Sequence, residues 1–138
     1  MKFDYSYYLG TTQSKKQEHC KKVPTVVMNH TTGIDALVAV AHLNGNICFL
    51  VGDHIRHVPF INYLVTASGG LFAPRGGTIT AREAIVKQIK TYQTEYQENQ
   101  PQLVIFPEGA TSNNEYLLPF KRGAFSSHSP VLPIVLRY

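Results

Sequence analysis

The sequence predicts an α/β fold, a single-domain layered structure with a mostly parallel central sheet flanked by helices. Three observations predict it. Short β-branched or apolar runs alternate along the chain with segments of helical periodicity, the pattern of successive β-α units. The runs are bounded by turn signals such as Asn44-Gly45-Asn46 and Ser68-Gly69-Gly70. The polar motifs fall at the ends of the runs, where sites of parallel sheets lie.

The elements follow in order. Residues 1–22 form an extension, with an aromatic opening (Phe3, Tyr5, Tyr7, Tyr8) and a polar, lysine-bearing stretch from Gly10 to Lys22. The domain is expected over 23–138, cut short at both ends. Val23 to Met28 reads as a buried strand. Ile34, Leu37, Val38 and Ala41 then repeat at helical spacing up to Leu43, and Ile47 to Val51 reads as a second strand. Pro59 to Ala67 forms a short helix with proline in its first turn, followed by a strand at Leu71-Phe72-Ala73. Thr80-Ala81-Arg82-Glu83 has capping-box spacing. It opens a helix whose face is Ala81, Ala84, Ile85, Ile89, Tyr92 and Tyr96, and which Asn99 and Pro101 stop. Gln102 to Phe106 and Val131 to Leu136 supply the last strands.

Composition bounds the function more loosely. The chain has 138 residues, 43% hydrophobic and 16% charged, which suits one domain with one core. Thirteen Lys and Arg against nine Asp and Glu give a net charge of +4 and a pI near 9.1. That bias favours phosphate-bearing or anionic partners, and no feature singles out nucleic acid. Cys20 and Cys48 have no zinc spacing and make no disulfide framework, so a reducing compartment is expected. No segment approaches about 18 uninterrupted apolar residues, and the opening lacks the apolar core of a signal peptide, so membrane contact is expected to be peripheral.

The first motif is Met28-Asn29-His30-Thr31-Thr32-Gly33-Ile34-Asp35. Residues five apart lie about 140° apart on a helix and about 16 Å apart on opposite faces of a strand, so neither lets His30 touch Asp35. A loop at His30 followed by a helix start brings Asp35 back to the imidazole. The pair then suits a general base with an orienting acid, although a loop histidine beside a capping aspartate fits the spacing too. A metal site is disfavoured: His30, Asp35, His54 and His57 form no compact set with a clear third ligand. Ser68, Ser112 and Thr111 sit in loops with no Gly-x-Ser-x-Gly elbow, and Cys20 lies outside the core, so direct transfer without a covalent intermediate fits better. Arg75 and Lys121 are candidate phosphate ligands.

Four stretches together resemble the glycerophospholipid acyltransferase family, with a 1-acylglycerol-3-phosphate acyltransferase-like domain. They are Asn29-His30-x4-Asp35, Gly69-x-x-Phe72-x-x-Arg75, Phe106-Pro107-Glu108-Gly109 and Leu132-Pro133-Ile134, in the family's order and approximate spacing. The run FPEGATSNNEYLLPFKRGAF is most similar to the lysophosphatidylcholine and lysophosphatidylethanolamine branch. The resemblance implies transfer of a fatty acyl group from acyl-CoA, as co-substrate, to the free hydroxyl of a lysophospholipid, with no tightly bound cofactor. It implies His30 as base and Asp35 as its partner. Asn29, Gly69, Phe72, Arg75, Phe106, Pro107, Glu108, Gly109 and Pro133 are then the substrate-binding set, to which charge adds Lys121.

The implied workplace is a membrane face, the endoplasmic reticulum or another intracellular membrane in a eukaryotic cell, with an apolar groove beside the His30 loop. Ala110 stands where the family usually has Thr, and Thr111 where phosphatidic-acid-forming members carry Arg, which argues against lysophosphatidic acid as acceptor. Pro74 stands where a polar residue is common, reshaping the second motif's loop. Two alternatives share the fold: a non-catalytic lipid-binding or interaction domain, and a CoA-independent transacylase.

Overall fold

Strand β1 (Thr25–Met28) is buried along its whole length between two later strands, β4 (Gln102–Ile105) and β5 (Val131–Ile134), and all three run parallel. The computed structural model describes residues 23–43, 45–113 and 115–137. The expected extension 1–22, with its aromatic opening and Cys20, lies outside the described residues. Beyond β4 come β2 (Ile47–Gly52) and β3 (Leu71–Ala73), so the five-stranded sheet has the order β3-β2-β4-β1-β5, with every pairing parallel.

Crossover handedness decides which face each helix covers. The connections β1 to β2 and β2 to β3 step one way across the sheet. Right-handed crossovers therefore put α1 (Asp35–His42) and α2 (Pro59–Ala67) on one face. The connection from β3 to β4 steps back, so α3 (Ile79–Thr94) covers the other face. The core divides accordingly. Val26, Met28, Val104, Leu132 and Ile134 pack with Ala39 of α1; Val27, Cys48, Leu103 and Ile105 pack with Ile89 of α3 and with Ala124. Ala124 belongs to a 3₁₀ turn, Arg122–Phe125, on the way to β5.

Most expected elements form, and the departures have local causes. Helix α3 starts two residues early: Gly76 has φ +67° and Gly77 passes so near Pro74 and Ala81 that a Cβ would crowd both. The turn therefore ends at Thr78, whose hydroxyl accepts the Ala81 N–H at 3.3 Å, and Thr78 caps the helix in place of Thr80. At the other end the helix stops at Thr94, because Gln97 N–H bonds Gln100 Oε1 and Tyr96 hydroxyl bonds Gln100 O, closing a separate turn before Pro101. On the helix face Ala84 is exposed, Ile89 is buried as expected, and the other buried position is Gln93. Its amide donates to Thr25 Oγ1 at 2.9 Å and Ala124 O at 2.8 Å, fastening α3 to the start of β1.

Strand β5 ends at Ile134 and not at Leu136, yet its line continues: Asn29 Nδ2 donates to Leu136 O at 2.9 Å and Leu136 N–H donates to Asn29 Oδ1 at 2.7 Å. A side-chain amide there takes over from the β1 backbone as ladder partner.

Burial raises the Cys48 thiol, and burial with the bond to Cys48 raises the Tyr92 phenol; Tyr96 is raised by burial as well. All three are acids whose charged form folding disfavours. They stabilise the fold while protonated in both states, and that stability is lost as the unfolded chain ionises, from about pH 8.5 for Cys and about pH 10 for Tyr. The melting temperature should therefore fall steadily above about pH 9. Tyr92→Phe, read by thermal melts across that range, should flatten the fall; an unchanged slope would put the alkaline sensitivity elsewhere.

Candidate active site

In a sheet of this order, β1 and β4 are neighbours whose outgoing connections leave toward opposite faces, so the crevice at their carboxyl ends is the switch point. The loops entering it are Asn29 to Ile34 after β1 and Phe106 to Asn113 after β4. The first and third motifs meet there.

Asp35 is the first residue of α1, fully buried, and gathers the loop around itself. Its Oδ2 accepts from Thr31 N–H at 2.6 Å and Thr32 N–H at 2.9 Å, and lies 2.9 Å from His30 Nδ1; its Oδ1 accepts from the Thr32 hydroxyl at 3.0 Å. Converging donors favour the carboxylate form, which can only accept. His30 Nδ1 therefore carries the proton toward Asp35, and Nε2 keeps its lone pair. The His30 ring stacks on Phe106 at 4.1 Å between centroids and is 22% exposed. It is held by a carboxylate on one edge and an aromatic face below.

Glu108 is buried, and both its oxygens are occupied by backbone: Oε1 by His30 N–H at 3.2 Å, Oε2 by Leu118 N–H at 3.1 Å. With Ser112 N–H donating to His30 O at 2.8 Å, the β4 loop grips the His30 backbone from both sides. Glu108 thus braces the His30 backbone from within the β4 loop. Gly109 has φ +69°, and the Lys121 side chain lies over its α-carbon where a Cβ would stand. Lys121 is anchored by its own N–H to Pro107 O at 2.8 Å and is exposed at the mouth of the site. Gly109→Ala should strain the turn and displace Lys121. We expect a cost of about 1–2 kcal/mol in urea unfolding, together with weakened acceptor binding. A variant as stable as the unaltered chain would mean the turn tolerates a side chain.

The other expected site residues divide. Phe72 shares its register with Val51, with the Arg56 guanidinium 3.8 Å above its ring, and Arg75 is exposed just past β3, its N–H donating to Asp53 Oδ1. Both stand at the carboxyl edge with His30. Gly69 does not: it precedes β3, at φ +75°, and its N–H bonds Thr66 O to end α2, a helix-capping role. Pro133 pairs with Val27 on the α3 face, away from His30, and blunts the edge strand β5 by lacking an N–H. Asn29 is spent on Leu136, as described above. Pro107 is fully buried, a scaffold for the turn.

Thr31, Thr32 and Ser112 hold the His30–Asp35 loop in place, and sequence reasoning gave none of them that task. The only signal was a hydroxyl three residues before Asp35. His54 and His57 lie apart from the pair, in the 3₁₀ turn Asp53–His57 after β2. A cleft of about 650 Å³ lined by Leu71, Gln88, Thr91 and Tyr92 opens on the α3 face, so it is not the groove expected beside His30.

An oriented imidazole with one free nitrogen, at the switch point of a parallel sheet, is equipment for moving a proton during group transfer. The chain belongs to the acyltransferase family, whose model matches residues 12–137. It is 27% identical over 124 residues to the lysophospholipid acyltransferase LPEAT1 of Arabidopsis thaliana, covering 88% of this chain and 30% of that protein. It is 31% identical over 136 residues to lysophosphatidylcholine acyltransferase 2B of Rattus norvegicus, 95% of this chain and 25% of that one. A 1-acyl-sn-glycerol-3-phosphate acyltransferase of Helicobacter pylori is 32% identical over 100 residues, 72% and 40% of the two chains. The chain thus spans less than half the length of each of these relatives. No solved structure matches it.

Proposed function

We propose that the chain transfers a fatty acyl group from acyl-CoA to the free hydroxyl of a lysophospholipid. The observation that carries this reading is His30, fixed by Asp35 and Phe106 with Nε2 open at the sheet's switch point. Nε2 takes the proton of the acceptor hydroxyl as its oxygen attacks the thioester carbonyl carbon. Asp35 stabilises the resulting imidazolium. The C–O bond forms, the C–S bond breaks, and the imidazolium returns its proton to the departing CoA thiolate. The donor arrives already activated, so this chemistry calls for no resident cofactor.

Arg75, just past β3, and Lys121, over Gly109, are both exposed and supply charge for phosphate. Thr111 stands where phosphatidic-acid-forming members of the family carry Arg, which favours an acceptor whose phosphate already carries a head group over lysophosphatidic acid.

The test is release of free CoA thiol from a long-chain acyl-CoA, with and without lysophosphatidylcholine, and again with lysophosphatidic acid. Acceptor-dependent release, faster with lysophosphatidylcholine, is expected. Folded protein that releases no thiol with either acceptor would overturn the reading.

A further inference from the structure

The last residue of β2, Gly52, leaves a gap that two basic side chains fill. His54 Cε1 and Nδ1 lie 2.6 Å from the point where a Cβ would stand, and Arg75 Nε lies 3.7 Å from it. Gly52 has φ −68°, so its backbone does not ask for glycine; the approach of the imidazole does. Nearby, the Arg56 guanidinium lies 3.8 Å above the Phe72 ring. The acid of the group, Asp53, accepts the Arg75 backbone N–H at 3.3 Å, and among the described residues no ion pair ties either guanidinium to a carboxylate. Basic side chains packed side by side, exposed and free of ion pairs, suit phosphate.

Strand register fixes how far this group stands from His30. Val26 is level with Val104 and Val104 with Phe49, a count that carries past the strand ends to set His30 level with Asp53. Gly52 is level with Ala73, which sets Asp53 level with Pro74. The group and His30 thus share one height on the carboxyl edge and differ in strand. β2 lies two strands from β1 and β3 lies three, at about 4.8 Å each, so the group stands on the order of 10–14 Å from His30. Lys121 is one strand away, over Gly109 in the β4 loop.

On the proposed reading, phosphates of two different reaches enter the reaction. The phosphorus of a lysophospholipid is about four or five bonds from its free hydroxyl oxygen, roughly 5–6 Å. About thirteen bonds, roughly 15 Å at full extension, part the CoA sulfur from its nearest phosphorus. The short reach suits Lys121, and the long one suits the ends of β2 and β3.

We propose that His54, Arg75 and Arg56 hold the phosphates of the CoA donor, with Gly52 giving the His54 ring its place, and that the acceptor's phosphate goes to Lys121. The pantetheine arm then runs along the edge from β3 toward β1 and brings the thioester to His30. This inference rests on the acyl-CoA reading and adds to it a division between two phosphate sites.

The test compares palmitoyl-CoA with palmitoyl-pantetheine, a donor that keeps the thioester and lacks every phosphate. Arg75→Gln and His54→Gln should each raise the KM for palmitoyl-CoA about tenfold, with no change in the KM for palmitoyl-pantetheine or lysophosphatidylcholine and none in melting temperature. Gly52→Ala should act like His54→Gln by displacing the ring, and should add nothing to it in the double variant. Lys121→Gln should raise the KM for lysophosphatidylcholine alone. Equal effects on the two donors would overturn the proposal. So would a raised KM for lysophosphatidylcholine in Arg75→Gln, which would return Arg75 to the acceptor. Calorimetric titration with CoA itself reads the site without turnover. Binding that His54→Gln and Arg75→Gln weaken, in protein that transfers no acyl group, would leave the site standing and remove the transfer reading. Transfer from palmitoyl-CoA that neither variant alters in either assay would do the reverse.

Discussion

His30→Ala is expected to lower acceptor-dependent thiol release by about 10³-fold or more while the protein stays folded, because a positioned base contributes on the order of 10²–10⁴ and little else here replaces it. The ring lies in a loop and is partly exposed, so the substitution forfeits the stacking on Phe106 and the Nδ1 bond to Asp35, whose carboxylate keeps its backbone and hydroxyl donors, and costs about 1–2 kcal/mol. The backbone grip on residue 30, through Glu108 and Ser112, needs no imidazole and survives. Circular dichroism and a melt beside the rate measurement separate the two effects. An active variant would remove His30 from the chemistry; an unfolded one would make it structural.

Asp35→Asn is expected to damage both properties. The carboxylate gathers two backbone N–H groups, one hydroxyl and the imidazole in a fully buried position. An amide nitrogen turned toward any of them faces a donor with a donor. Leaving one or two buried donors unsatisfied costs about 2–4 kcal/mol in urea unfolding. The His30 tautomer is also released, so activity should fall about 10³-fold or more even at temperatures where the variant is folded. The two variants form a contrast: loss of rate alone at His30, loss of rate and stability at Asp35. If Asp35→Asn unfolded at the same urea concentration as the unaltered chain, the carboxylate would not be what holds the loop.

The strands were legible because they are short apolar runs bounded by turn signals, and β1, β2, β3 and β4 lie where the pattern puts them to within two residues. The His30–Asp35 contact was legible for a geometric reason: a spacing of five fits no regular element and so implies a loop folding back. What escaped were polar side chains serving the backbone. Asn29, Glu108 and Gln93 look like site or surface residues in sequence, and each is buried on partners 10 to 107 positions away. No local period encodes such a partner. Pro133 escaped for another reason: its motif position says nothing of which sheet face a strand residue takes, and pairing with Val27 decides that. Thr80 lost the cap to Thr78 because two glycines set the turn, a constraint on backbone room that spacing alone does not carry.

The placement of β1 has a consequence for how the molecule comes into being. β1 is the first of the described strands, yet both its neighbours, β4 and β5, begin 77 or more residues later. On a ribosome, this strand, apolar but for Thr25, must wait unpaired while the three helices and two strands before β4 are made, and contacts of such sequence separation close slowly. Residues 1–101 alone, however well their helices form, should leave β1 sticky and His30 without its grip from the β4 loop. Synthesis of the last strands is thus the moment at which an aggregation-prone intermediate becomes a molecule with a site.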